Sequence, residues 1–141
     1  MSKFSTKLDT AIRAASKHRC GYCLTPQILT SYKLEIEHIY PIAKGGTSEQ
    51  ANLCLACRHC NLHKAAKVFG VDVLTARRVR LFHPNRQHWT VHFSWSEDKT
   101  SVIGKTACGR ATVYALKMND ELQTNARQVW KLTGLFPPEE S

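Results

Sequence analysis

Long apolar runs are missing from this chain. No stretch approaches the roughly 18 apolar residues of a membrane-spanning helix, so a membrane role is not expected. The opening MSKFSTKLDTAIRAASKHRC is polar and has no apolar core, so no secretory leader is expected there and a cytoplasmic setting is. Internal repeats and low-complexity tracts are also lacking, which excludes solenoid architectures. Acids are scarce. Between Gln50 and Ser96 the sole acidic residue is Asp72, against seven Lys or Arg: Arg58, Lys64, Lys67, Arg77, Arg78, Arg80 and Arg86. With a net charge of +9 over the whole chain, this field favours a polyanionic partner, although a basic balance can also serve solubility alone. What is present is ordinary for a globular protein, with 43% hydrophobic and 22% charged residues in 141. A chain of this length can bury about 68–70% of its unfolded surface, as one domain or as a small core with an added piece.

Six cysteines in a chain without an export signal point to metal before disulfides. Cys20-x2-Cys23 and Cys57-x2-Cys60 share one internal spacing. A two-residue gap turns both sulfurs of a knuckle toward one ion, and two knuckles complete the tetrahedral thiolate shell of structural zinc. The staple has a physical reason: the segment from Cys20 to Gly70 is too small to hold itself with an apolar core alone, and structural zinc contributes on the order of 10–16 kcal/mol to such modules. Four thiolates leave no position for water, so this zinc is expected to do no chemistry. Cys54 and Cys108 read as ordinary buried thiols. His59, inside the second knuckle, is not needed as a ligand. A zinc deaminase is excluded, because Glu37 precedes His38 without the H-x-E spacing.

Hydrophobic spacing predicts an α+β fold. Residues 5–18 read as a helix capped by Ser5 or Thr6; 31–38 alternate as a strand; 51–56 form a second, apolar strand; 57–70 turn and continue as a helix to Gly70. Further on, 88–95 read as a strand with Trp89, Val91, Phe93 and Trp95 on one face, returning through the turn 96–99. Helices are expected over 109–119 and 120–134, the latter with Leu122, Ala126, Val129 and Trp130 inward. Three parts follow: an N-terminal helix (1–19), a zinc-stapled core (20–70) and a basic C-terminal extension (71–136) of a hairpin and two helices.

A second set of residues is tied to the staple. Glu37 and His38 are adjacent, Asn52 follows, and Asn61 comes directly after the last thiol of the knuckles, with Lys64 one helical turn on. The text EH-I-Y-P-x3-GG-x5-NL-x3-C-x2-C-N-x2-K, with its upstream CxxC, resembles the HNH endonucleases of ββα-metal fold. That resemblance implies roles. His38 matches the general base that takes a proton from the attacking water. Glu37 and Asn61 match the ligands of a catalytic divalent ion, expected to be magnesium. Asn52 matches the residue that holds the loop and the histidine. Lys64, Arg58, His63 and Lys44 are the expected DNA contacts. Adjacent side chains on a regular strand leave opposite faces, so Glu37 and His38 serve one phosphate only if the strand distorts, or if ion and water lie on different sides of it. The expected activity is hydrolysis of DNA phosphodiester bonds; the alternative is a zinc-stabilised nucleic-acid-binding module that cuts nothing.

Overall fold

The computed structural model describes residues 4–139. Helix α1 spans Thr6–Ala15; Ser5 Oγ accepts from the Leu8 amide at 3.1 Å, and Ile12 is the residue it buries. Two left-handed residues, Lys17 and His18, end it and lead into the first knuckle, where Cys20, Tyr22 and Cys23 are all buried.

Strand β1 is Glu35–His38 and β2 is Leu53–Ala56, paired antiparallel with Glu37 opposite Cys54 and His38 opposite Leu53. The strand expected to start at residue 31 begins only at 35. Upstream, the Gln27 side chain takes the place of a ladder: Nε2 donates to the Tyr32 carbonyl at 2.7 Å and Oε1 accepts from the Leu34 amide at 2.8 Å. Helix α2, Arg58–Lys64, packs on β1. It does not run to Gly70. Ala65, at φ 48°, breaks it, and Phe69–Val71 forms strand β3, paired with β4 at Arg78–Arg80. Gly70 sits under a later helix, where a Cβ would come 2.9 Å from Leu81 Cδ2. This glycine therefore admits close packing instead of closing a helix, and the expected boundary at 70 falls inside β3.

The segment expected as a strand over 88–95 is divided. Trp89–His92 makes one helical turn, α3, and Phe93–Trp95 is β5, paired with β6 at Val102–Gly104. The helical turn brings Trp89 and Phe93 onto one face, with ring centroids 5.2 Å apart, and leaves Val91 exposed. Helix α4, Ala107–Ala115, packs on β3, β4 and β6. Helix α5, Glu121–Trp130, turns inward a face that only partly matches the one expected. Leu122 and Val129 are exposed, while Arg127 is fully buried. The inward stripe runs through Gln123, Ala126, Arg127 and Trp130, because Arg127 donates to the Thr100 carbonyl at 2.9 Å and lies over Trp95.

The result is a mixed helix and strand architecture of small antiparallel pairs, α+β as expected. No described helix is long and apolar enough to cross a membrane. The C-terminal layer is seated on the stapled segment by named contacts: Trp89 Nε1 donates to the Tyr22 carbonyl at 2.8 Å, and Asn85 Nδ2 to the Ala51 and Leu53 carbonyls at 3.0 and 2.9 Å.

Candidate metal centre and active site

Cys20, Cys23, Cys57 and Cys60 converge, with all four sulfurs within 4.8 Å of one another and all four buried. Each knuckle aims backbone N–H groups at its sulfur: Tyr22 N to Cys20 Sγ and Cys60 N to Cys57 Sγ, both 3.4 Å. Such donors stabilise thiolate. Four thiols so close cannot all ionise without a cation. Hydrogen bonds from Cys20, Cys57 and Cys60 draw Cys23 down, while Cys20 and Cys23 push Cys57 far up. Arg127 supplies a test of fit. Its guanidinium is buried with Nε and Nη2 unpartnered, and its field favours the Cys23 thiolate. A zinc tetrathiolate carries a net charge of about −2, since four thiolates surround one divalent ion, and a lone buried cation beside it is then compensated. The cluster can hold zinc. Of the remaining thiols, Cys54 is buried as expected and Cys108 is half-buried at the start of α4.

The other predicted residues fall on two sides of β1. Pairing continues through His38 and on to Ile39, whose amide donates to the Asn52 carbonyl at 2.9 Å. The strand therefore does not distort between Glu37 and His38. On one side, Glu37 is 6% exposed, facing α2. Lys64 Nζ lies 3.3 Å from Glu37 Oε1 and donates to the Ile39 carbonyl at 2.9 Å. Burial pushes the Glu37 carboxyl up; Lys64 is the main opposing influence, helped by Tyr22 and Cys54. Glu37 Oε1 still accepts no hydrogen bond of good geometry. Asn61 is one turn before Lys64 on α2, and its Nδ2 donates to Glu35 Oε1 at 3.3 Å. Glu35 is a residue the sequence reading passed over; the period of two that puts it on the face of Glu37 was the available signal.

On the other side, His38 is half-buried near the Phe4 ring, with Nε2 2.9 Å from Ser48 Oγ. Asn52 fastens the intervening loop. Its Oδ1 accepts from the Tyr40 amide at 2.9 Å, and its Nδ2 donates to the Tyr40 and Thr47 carbonyls at 2.9 and 2.8 Å. Gly46 makes that fold-back possible, since a Cβ there would lie 1.9 Å from the Tyr40 carbonyl oxygen.

The expected DNA contacts differ in their surroundings. Lys44 is exposed on the loop after Pro41. Arg58 is exposed at the other end of α2, stacked on Tyr32 at 4.1 Å. His63 faces His59. Lys64 is corrected outright: it is 1% exposed, an internal counter-ion and not a surface cation. Lys64 also lines a cavity of about 190 Å³, together with Lys67, Arg80, Arg86, Tyr40 and Phe82, beside the Asn52-pinned loop.

A two-stranded ribbon followed by a helix, joined by two cysteine knuckles and carrying Glu-His at the end of the first strand, makes a ββα unit. Residues 20–67 match the model of the HNH endonuclease family, so the chain carries an HNH endonuclease domain over that span. No curated protein and no solved structure matches the chain.

Proposed function

We propose that this HNH domain hydrolyses phosphodiester bonds in DNA, with His38 as general base. The observation that carries the reading is the pinned loop: three hydrogen bonds from the Asn52 side chain fix the chain from Tyr40 to Thr47 and so fix the surroundings of His38. Ser48 Oγ, 2.9 Å from His38 Nε2, marks a position within hydrogen-bond reach of the ring, where an attacking water would stand. A neutral imidazole accepts a proton at pH 7.

Glu37 and Asn61 supply hard oxygen donors suited to magnesium; Glu37 Oε1 accepts no hydrogen bond, and an ion there would share it with the Lys64 ammonium at 3.3 Å. Such an ion would neutralise charge developing on the phosphate and the leaving oxygen. Lys64 holds the buried Glu37 in place and limits the rise of its pKa. The four thiols are assigned to structural zinc. Lys44, Arg80 and Arg86 are assigned to the DNA backbone, and the reduced cytoplasm suits free thiols.

One observation favours a second reading, a zinc-stabilised module that binds nucleic acid without cutting it: Glu37 is buried and already paired. The two separate on one experiment. Supercoiled plasmid is incubated with the protein and magnesium, with and without chelator, beside His38→Ala. Nicking that falls about 10²–10⁴-fold in the variant is expected. Equal nicking by both proteins, or none by either at low salt where DNA is bound, sinks the catalytic reading.

A further inference from the structure

A second group of ligating side chains lies on the same helix as the last zinc thiol. His59 and His63 are four residues apart on α2, so they share a face, and their ring centroids are 4.4 Å apart. Asp120, the residue that precedes α5, faces them. One ligating atom from each of the three lies within 4.8 Å of the others. The Asp120 side chain makes no capping hydrogen bond to α5, so its carboxylate is not spent on the helix it heads.

A second observation points to a ligand. His59 Nε2 lies 2.7 Å from the Lys117 carbonyl. A carbonyl only accepts, so Nε2 carries the proton and Nδ1 keeps its lone pair. This is the arrangement of a ligating histidine, whose outer nitrogen donates to a backbone carbonyl that fixes the tautomer and the ring. The carbonyl is presented by the turn between α4 and α5, where Lys117 adopts the left-handed φ of 48°.

We propose that His59, His63 and Asp120 bind a first-row transition ion, separate from the four-thiol cluster and from the nuclease site. Two imidazoles and a carboxylate suit zinc, nickel or copper and leave at least one position for water or a further ligand. With bonds of about 2.0–2.1 Å the ligand atoms stand about 3.3 Å apart in a tetrahedral shell, so the group closes by small side-chain rotations. The consequence is mechanical. The ion joins the HNH helix to the head of α5 and fastens the C-terminal layer to the core.

The test uses full-length protein with its thiol site already filled by zinc. In excess magnesium, which keeps the proposed Glu37 and Asn61 site filled, further zinc is titrated by isothermal calorimetry into the wild type, His63→Ala, Asp120→Ala and Glu37→Gln. One additional equivalent is expected in the wild type and in Glu37→Gln, weakened at least about tenfold in His63→Ala and Asp120→Ala. Thermal unfolding serves as the second readout: added zinc raises the Tm of the wild type and not that of His63→Ala. Loss of the extra equivalent in Glu37→Gln alone would assign it to the nuclease site and overturn the proposal. Equal binding by His63→Ala and wild type, or no extra binding to the wild type, would overturn it as well.

Discussion

The stapled segment and the C-terminal layer each enclose one acid–base pair, and they treat it in opposite ways. In the layer, Asp72 is fully enclosed and fully served: Arg110 donates from Nε and Nη2 at 2.8 and 3.0 Å, Thr75 Oγ1 at 2.7 Å and the Leu74 amide at 3.1 Å. Arg110 first, then Thr75 and Leu74, hold its carboxyl far below the usual carboxylate range. In the stapled segment, Glu37 has one ammonium at 3.3 Å, a distant thiol and the influence of Tyr22. Burial outweighs these partners and pushes the carboxyl up. A carboxylate that ties a turn to a helix is saturated with donors. Glu37 is left short of them. The difference is the one expected if Glu37 serves chemistry, as proposed, and Asp72 serves the fold.

The largest expected effect falls on the stapled segment as a whole. Stripping zinc with a chelator removes a contribution on the order of 10–16 kcal/mol, which a segment with two four-residue strands cannot replace. All three tryptophans, Trp89, Trp95 and Trp130, lie in the other layer. Because Trp89 is bonded to the Tyr22 carbonyl of the first knuckle and Arg127 is compensated by the thiolates, we expect tryptophan emission to shift together with the loss of far-UV signal. Separate transitions would show that the layer stands alone.

A smaller effect is expected from breaking the Glu37–Lys64 pair. Lys64→Ala leaves a buried, unpartnered carboxylate and should cost about 3–5 kcal/mol in denaturant unfolding. Glu37→Leu combined with Lys64→Met should recover most of that stability and show no plasmid nicking. A double variant that nicks DNA at the wild-type rate would mean that Glu37 is structural after all, like Asp72.

Much of this was legible in the sequence, and the misses have physical causes. The paired CxxC spacing, the Ser5 cap and the run from Glu37 to Asn61 are local signals, and the fold keeps the elements they imply. The period-two reading of 88–95 failed because Trp89 and Phe93 satisfy a helical turn as well as a strand, and packing against Trp95, 5.3 Å from Trp89, decided for the turn. Gly70 looks like a helix stop but answers the approach of α4, which is distant in sequence. The inward face of α5 keeps Ala126 and Trp130 as expected but takes in Arg127, because an arginine counts as polar in the sequence whereas here it is held by Thr100 and Trp95. Lys64 failed for the same reason: its burial depends on Glu37 across the ribbon. Site residues were visible as a set, and the strand period offered their division between two faces of β1 as one of two alternatives; that the strand stays regular at Glu37 and His38 was not legible.

The subtlest test of the comparison is pH dependence, read between pH 5 and 8 where thiol-bound zinc is retained. Asp72 has a depressed folded pKa, so its contribution is present above the unfolded value of about 3.9 and is lost only as pH falls through the lower folded value. The stability gap between wild type and Asp72→Asn should therefore be flat across the whole window. Glu37 has a raised folded pKa, which reverses the sign. Its contribution is full below the unfolded value of about 4.3 and is lost as pH rises through the folded value. Wild type should lose stability relative to Glu37→Gln as pH climbs from 5, by at most about 1.4 kcal/mol per pH unit for one proton, and then level off. The direction follows from desolvation outweighing Lys64. A wild type that instead gains on Glu37→Gln with rising pH would place Lys64 above burial, and the two pairs would then be of one kind.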